Sequence, residues 1–136
     1  EFNISVLGGK DKVDVLPPAE MLFVDFPESK PQMLGYTAKW NEDSVEYKNT
    51  TRAFDTLSPE SALYKELIRL TRQCWDCFSL NGFARVDFRV DENEKPYVIE
   101  INGNPCISPD SGFIAAARIV GFSDKEVVQR IVEDLN

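Results

Sequence analysis

The sequence predicts an α+β fold in which helices pack on a mostly antiparallel sheet, and three observations carry that expectation. Residues 83–90 and 97–102 alternate apolar and polar positions on either side of a turn-rich break, the pattern of two half-buried strands. Phe2-Asn3-Ile4-Ser5-Val6-Leu7 alternates in the same way. Between these stretches Leu63, Leu67, Leu70, Cys74 and Phe78 recur at steps of three and four, the apolar stripe of an amphipathic helix.

Taken in order, the first strand runs into Gly8-Gly9-Lys10, a hairpin signal without the spacing of a phosphate-binding loop. Val13 to Leu16 is a short apolar segment broken by Pro17-Pro18, and Ala19 to Phe26 reads as a second long strand stopped by Pro27. Residues 28–56 are irregular, with one short candidate strand at Ser44 to Tyr47 and a lysine, Lys39, set among Tyr36 and Trp40. Ser58-Pro59 is expected to cap and start the long helix, and Gly82 to end it. Residues 113–120 form a second helix stopped by Gly121. Ser123 and Glu126 make a capping box for a last helix that turns Val127, Val128, Ile131, Val132 and Leu135 inward.

The chain has 136 residues and a net charge of −8, with a pI near 4.6. That length supports one domain with a real core. The acidity argues against a broad nucleic-acid surface, which needs a basic stripe. No apolar run has the ~20 residues of a membrane span, and the N-terminus lacks a signal pattern. Three cysteines and no histidine fit a reduced, cytoplasmic compartment. They also remove Ser-His and Cys-His nucleophiles and His-based metal sites. Cys74-Trp75-Asp76-Cys77 falls late in a helix and not at its start, where a redox pair would sit, so core cysteines are the better reading.

The chemistry concentrates in the predicted hairpin. A turn centred on Asn93-Glu94 sets Asp87 opposite Glu100, Arg85 opposite Asn102 and Phe88 opposite Ile99. Opposed carboxylates about 5 Å apart repel unless a positive charge lies between them. A Mg²⁺ ion held by Asp87 and Glu100, with Asn102 as a neutral oxygen donor, is one answer. A solvated sheet face neutralised by Arg85 and Arg89 is the other. Past the hairpin, Gly103-Asn104-Pro105 turns the chain, and Ser108 to Gly112 offers hydroxyls at a helix start, suited to an anion or to ordinary capping.

The order Arg85-Val-Asp87, then Glu100-Ile-Asn102 and Pro105, then Ser111 resembles the C-terminal part of the ATP-grasp ligases, and D-alanine–D-alanine ligases most. Glu1 to Gly8 is similar to that family's E-F-T-V-A-I-L-G strand, and Tyr36-Thr37-Ala38-Lys39 to its Y-x-A-K-Y loop. The resemblance covers nearly the whole chain and implies an ATP-grasp C-terminal subdomain over residues 1–136. It implies ATP, with two Mg²⁺ ions (Mn²⁺ as a substitute) held by Asp87, Glu100 and Asn102. Arg85 would stabilise a tetrahedral intermediate. Ser111 would hold a substrate carboxylate and Glu1 the ribose, while Lys39 would contact phosphate. The implied reaction joins two amino acids through an acyl phosphate, in peptidoglycan synthesis, by a full-length protein that forms a homodimer. On this view Asp87→Asn or Glu100→Gln abolishes turnover with little effect on folding.

Three positions depart from the family pattern. Cys106 replaces the glycine after the proline, so its backbone N–H would support the oxyanion beside a side chain. Trp40 replaces a tyrosine, and Gly103-Asn104 replaces Thr-x. All three lie on the substrate side, which opens the alternatives of another amino acid or dipeptide, or of a non-catalytic binding domain. The first substrate's domain and the glycine-rich lid are expected upstream, so the 136 residues alone are expected to be inactive.

Overall fold

The computed structural model describes residues 1–9, 12–25, 28–29 and 50–134. These form a sheet of six strands and three helices: β1 Phe2–Leu7, β2 Asp14–Val15, β3 Ala19–Phe23, β4 Thr50–Ala53, α1 Ala62–Cys77, β5 Phe83–Val90, β6 Pro96–Asn102, α2 Gly112–Ile119 and α3 Asp124–Asp134. The strand order is β4-β3-β1-β5-β6, with β2 also paired to β1. Every pairing is antiparallel, so the α+β expectation describes the fold the chain adopts.

β1 is the axis. It pairs along its whole length with β5, from Phe2 opposite Phe88 to Leu7 opposite Phe83. On its other side it meets β2 through Val6 and Val15 and β3 through Phe2 and Glu20. Alternation then gives the sheet two faces. One face carries Phe2, Ile4, Val86 and Phe88 against Leu63 and Leu67 of α1, with Val6 and Ala84 against Trp75. The other carries Leu7 with Phe113, Ile114 and Ala117 of α2 and Val127 and Ile131 of α3. Phe83 packs there too, its ring meeting Phe113 edge-on at 5.8 Å.

α1 starts later than Pro59 suggests. Ser58 closes a turn, its carbonyl accepting from the Ser61 N–H at 2.9 Å. Ser61 is the cap, its hydroxyl accepting from Tyr64 N–H at 3.2 Å. The buried stripe is Leu63, Leu67, Thr71 and Trp75. Steps of four drift against the 3.6-residue turn, and the expected stripe through Leu70 and Cys74 lies at its edge, leaving Phe78 65% exposed. Thr71 can be buried because its hydroxyl donates to the Leu67 carbonyl at 2.8 Å.

The helix ends at Cys77, capped at Phe78, and not at Gly82. Ser79 takes a left-handed φ of 48°, its N–H bonds the Asp76 carbonyl, and Leu80 N–H bonds the Trp75 carbonyl, which is a Schellman closure. Cys74 is partly buried but Cys77 is exposed, so only the first cysteine fits the core reading. Burial, then the neighbouring Cys77 thiol, pushes Cys74 up, the opposite of an activated redox pair.

Other differences are local. β4, inside the stretch read as irregular, pairs with β3 from Glu20 opposite Ala53 to Phe23 opposite Thr50. β3 stops at Phe23. Lys39, Trp40 and the candidate strand at residues 44–47 lie outside the described residues, as does Leu135. The capping box of α3 forms, with Ser123 N–H donating to Glu126 Oε2 at 2.8 Å and Glu126 N–H donating to Ser123 Oγ at 3.3 Å. Only Val127 and Ile131 of its apolar residues are buried, and Val128 and Val132 face outward.

Candidate functional site

The face covered by α2 and α3 at its Leu7–Phe83 end turns polar farther along the same strands. Ser5, Arg85 and Asn102 form one row across β1, β5 and β6, and Asn3, Asp87 and Glu100 form the next. The Asp87–Glu100 and Arg85–Asn102 pairings match the register expected from the turn. Phe88 does not meet Ile99. A bulge between Asp87 and Phe88 sets Phe88 opposite Val98, and Ile99 is exposed. Beside the turn the pairs lie one residue out, with Arg89 opposite Tyr97 and Val90 opposite Pro96, and the bulge restores the expected count at Asp87.

Asp87 is the most deeply set of these groups, only 2% exposed. Arg85 reaches forward along its own strand and grips both carboxylate oxygens, Nε to Oδ1 at 2.6 Å and Nη2 to Oδ2 at 2.7 Å. The Asn3 amide, with its nitrogen turned toward Asp87, donates to Oδ1 at 3.3 Å. Burial opposes the Arg85 charge, yet its hydrogen bonds and attraction to Asp87, then the charges of Glu100 and Glu1, raise its pKa above the ordinary arginine value. Glu100 is exposed on the outer strand. The Glu1 side chain is nearly buried and stands 3.8 Å from Arg89. The face is therefore not the solvated one of the alternative reading at Asp87, although Arg85 does neutralise that carboxylate.

The remaining expected residues lie on the connection from β6 to α2. Asn102 Oδ1 accepts from Asn104 N–H at 2.9 Å, which folds the chain back after the strand. Cys106 is exposed, with its sulfur 3.1 Å from Ser108 Oγ, and Ser108 donates onward to Asp110 at 2.6 Å. Bonding to the Ser108 hydroxyl, then to its backbone, lowers the Cys106 thiol pKa. Ser111 is buried and caps α2 by accepting from Ile114 N–H at 3.3 Å.

Two residues join this region that no motif flagged. Asn3 is flagged only by its phase on β1, two positions from Glu1. Arg52 lies over the start of α2, where a Cβ on Gly112 would come 3.0 Å from its Nε, and nothing in the sequence of β4 signals that contact. A shallow hollow lined by Gly9, Lys12, Arg72, Trp75, Asn81 and Asp134 contains none of these groups.

Among the described residues no three His, Cys, Asp or Glu side chains cluster as a metal site. Asp87 and Glu100 bring two carboxylates, with the Asn102 amide in the adjacent row. That all-oxygen set fits a hard cation which takes few protein ligands and completes its shell with phosphate and water.

An antiparallel sheet of this order, packed by three helices, is the fold of the C-terminal part of D-alanine–D-alanine ligase structures. The family described as D-ala D-ala ligase C-terminus matches residues 1–133, and the chain belongs to it. D-alanine–D-alanine ligase of Carboxydothermus hydrogenoformans is 32% identical over 133 residues, covering 97% of this chain and 38% of that protein. The crystal structure of D-alanine–D-alanine ligase from Bacillus anthracis superposes with a TM-score of 0.69 at 22% identity, covering 98% of this chain and 38% of that one. The structure of the same ligase complexed with ATP gives 0.65 at 19% identity, covering 98% and 37%. The chain thus spans 38% of the length of the first relative.

Proposed function

We propose that this chain is the metal- and phosphate-holding part of an ATP-dependent ligase that joins two amino acids, of the D-alanine–D-alanine ligase type. The observation that carries the reading is the pair of rows Asp87–Glu100 and Arg85–Asn102, in which paired carboxylates, an amide and a guanidinium share one sheet face. Family membership and the ATP complex of a relative support the nucleotide.

In this reading the first amino acid's carboxylate takes the terminal phosphoryl group of ATP. The amine of the second then attacks the acyl carbon, and phosphate leaves. Asp87, Glu100 and Asn102 hold two Mg²⁺ ions, or Mn²⁺ in their place, which neutralise the phosphate charge and act as Lewis acids. Glu1 binds the ribose and Lys39 a phosphate. Arg85 faces the oxygen that becomes negative when the amine adds, and the Cys106 N–H supports it. Ser111 presents its hydroxyl to the second substrate's carboxylate at the α2 N-terminus, where the helix dipole favours an anion. The full protein carries the first-substrate domain and lid upstream of residues 1–136 and works as a homodimer. It contributes to peptidoglycan synthesis in the cytoplasm, where thiols such as the free Cys74, Cys77 and Cys106 persist.

A second reading, a different amine acceptor, is favoured by Cys106. Its side chain stands where the family pattern has glycine, next to the loop that leads to Ser111. The test is product analysis by mass spectrometry of the longer protein with ATP, Mg²⁺ and a panel of D- and L-amino acids. A D-alanyl dipeptide with equimolar ADP and phosphate supports the first reading, and a mixed dipeptide supports the second. No ADP with any acceptor would make the chain a binding domain.

A further inference from the structure

Arg85 and Asp87 stand two residues apart on β5, so both point to the same face. The guanidinium reaches along the strand and uses two donors on two oxygens of one carboxylate. That carboxylate has a side chain only 3% exposed, so water does not compete for it. Asn3 approaches one of the same oxygens from β1, and Glu100 faces Asp87 from β6. The guanidinium therefore holds both carboxylate oxygens of Asp87, the atoms a cation shared with Glu100 would need.

A guanidinium and a divalent ion cannot both engage Asp87 closely. Like charges a few ångströms apart in a partly buried setting repel strongly. The register also gives Arg85 somewhere to go. It lies directly opposite Asn102, toward the connection that carries Cys106 and Ser111. Resting on the metal assignment above, we propose that Arg85 and a divalent cation exchange on Asp87: Arg85 holds the carboxylate in the cation-free chain, and the arriving cation releases the guanidinium toward the acceptor side. Cation loading then also readies Arg85 for the reacting carbonyl, so metal occupancy and the oxyanion contact are coupled. The competition lowers affinity for the bare ion, and the phosphates of bound nucleotide restore it by drawing both charges.

The test is Mn²⁺ titration of the 136-residue chain without nucleotide, following the free-ion signal by electron paramagnetic resonance. Arg85→Gln should bind Mn²⁺ about tenfold more tightly than the unaltered chain, within the range over which a metal's neighbours tune its affinity. Adding Asp87→Asn to that variant should remove the gain. Equal or weaker binding by Arg85→Gln overturns the exchange. A measurement without mutation covers the case in which that variant fails to fold. The Arg85 Nε–H resonance should move away from its carboxylate-bonded position on saturation with Mg²⁺, and an unmoved resonance overturns the exchange as well. Mn²⁺ affinity indifferent to both Asp87→Asn and Glu100→Gln in the otherwise unaltered chain overturns the metal assignment itself, whatever Arg85 does.

Discussion

Asp87→Asn removes one charge from a pair that the sheet holds nearly out of water. The guanidinium then keeps an amide oxygen as acceptor and loses the second, with its own charge still only 21% exposed. Breaking a fully buried ion pair from one side costs about 3–5 kcal/mol, and a hydrogen bond to a charged group contributes ~1.5–3 kcal/mol. Glu100 and Glu1 remain close enough to act on Arg85, which trims the cost to about 2–3 kcal/mol. In a chain of this length that lowers Tm by about 10 °C. This departs from the folding-neutral outcome expected of Asp87→Asn from sequence. Glu100→Gln, on an exposed side chain, should stay within about 0.5 kcal/mol. Urea and thermal unfolding followed by circular dichroism measure both. The double variant Arg85→Gln/Asp87→Asn should recover at least about 1 kcal/mol over Asp87→Asn, since no orphaned charge is left. If Asp87→Asn unfolds within about 0.5 kcal/mol of the unaltered chain, Arg85 does not hold Asp87 in solution and the reasoning fails.

Two further outcomes follow from the packing around β1. Gly8→Ala drives a Cβ into the Asp134 carboxylate and to 2.9 Å from the Gly82 carbonyl oxygen, and so disturbs the 2.6 Å bond from Gly82 N–H to Asp134. It should cost about 2 kcal/mol, and an unchanged urea midpoint would contradict that close approach. For Asp14, burial resists ionisation, but its bonds to Arg130 and Lys12 outweigh it and hold the carboxyl below its ordinary 3.8. A depressed folded-state value gives a contribution complete above pH 3.8 and lost as pH falls through the lower folded value. Asp14→Asn should therefore be about 1 kcal/mol less stable near neutrality, with the gap closing in stronger acid. A gap that stays unchanged as the solution is acidified below pH 3.8 would refute the linkage.

The hairpin was legible because its information is local. Alternation fixes which residues share a face; the Asp87–Glu100 and Arg85–Asn102 pairs form as a turn centred on Asn93-Glu94 implies, but the pairs beside the turn lie one residue out and the bulge brings the count back into step. The bulge at Phe88 was not legible, because an extra residue on one strand leaves no mark in the alternation of the other. β4 escaped for a related reason. Thr50–Ala53 has two threonines, an arginine and an alanine, and its place comes from pairing with β3 and not from its own pattern. At the ends of α1 the strongest signals, Pro59 and Gly82, lost to Ser61 and Ser79, because capping is decided by which backbone groups the flanking chain can reach. At the site, residue types and order pointed to Asp87, Glu100, Asn102 and Arg85. Their present partnerships, Arg85 on Asp87 and Asn102 on Asn104, depend on side-chain reach and burial that a sequence does not carry. Arg52 was invisible for the same reason, and Asn3 showed only its phase on β1.

Glu100 is proposed as a ligand for the nucleotide's metal and not as a surface charge. Its most direct test is ADP formation by the longer protein carrying Glu100→Gln, with ATP, Mg²⁺ and the amino acid that the unaltered protein uses, alongside the unfolding midpoint. A metal ligand at Glu100 gives a normal midpoint and a loss of turnover greater than the ~10–100-fold typical of groups that only support a ligand. Turnover within about threefold of the unaltered protein, at a normal midpoint, would contradict it.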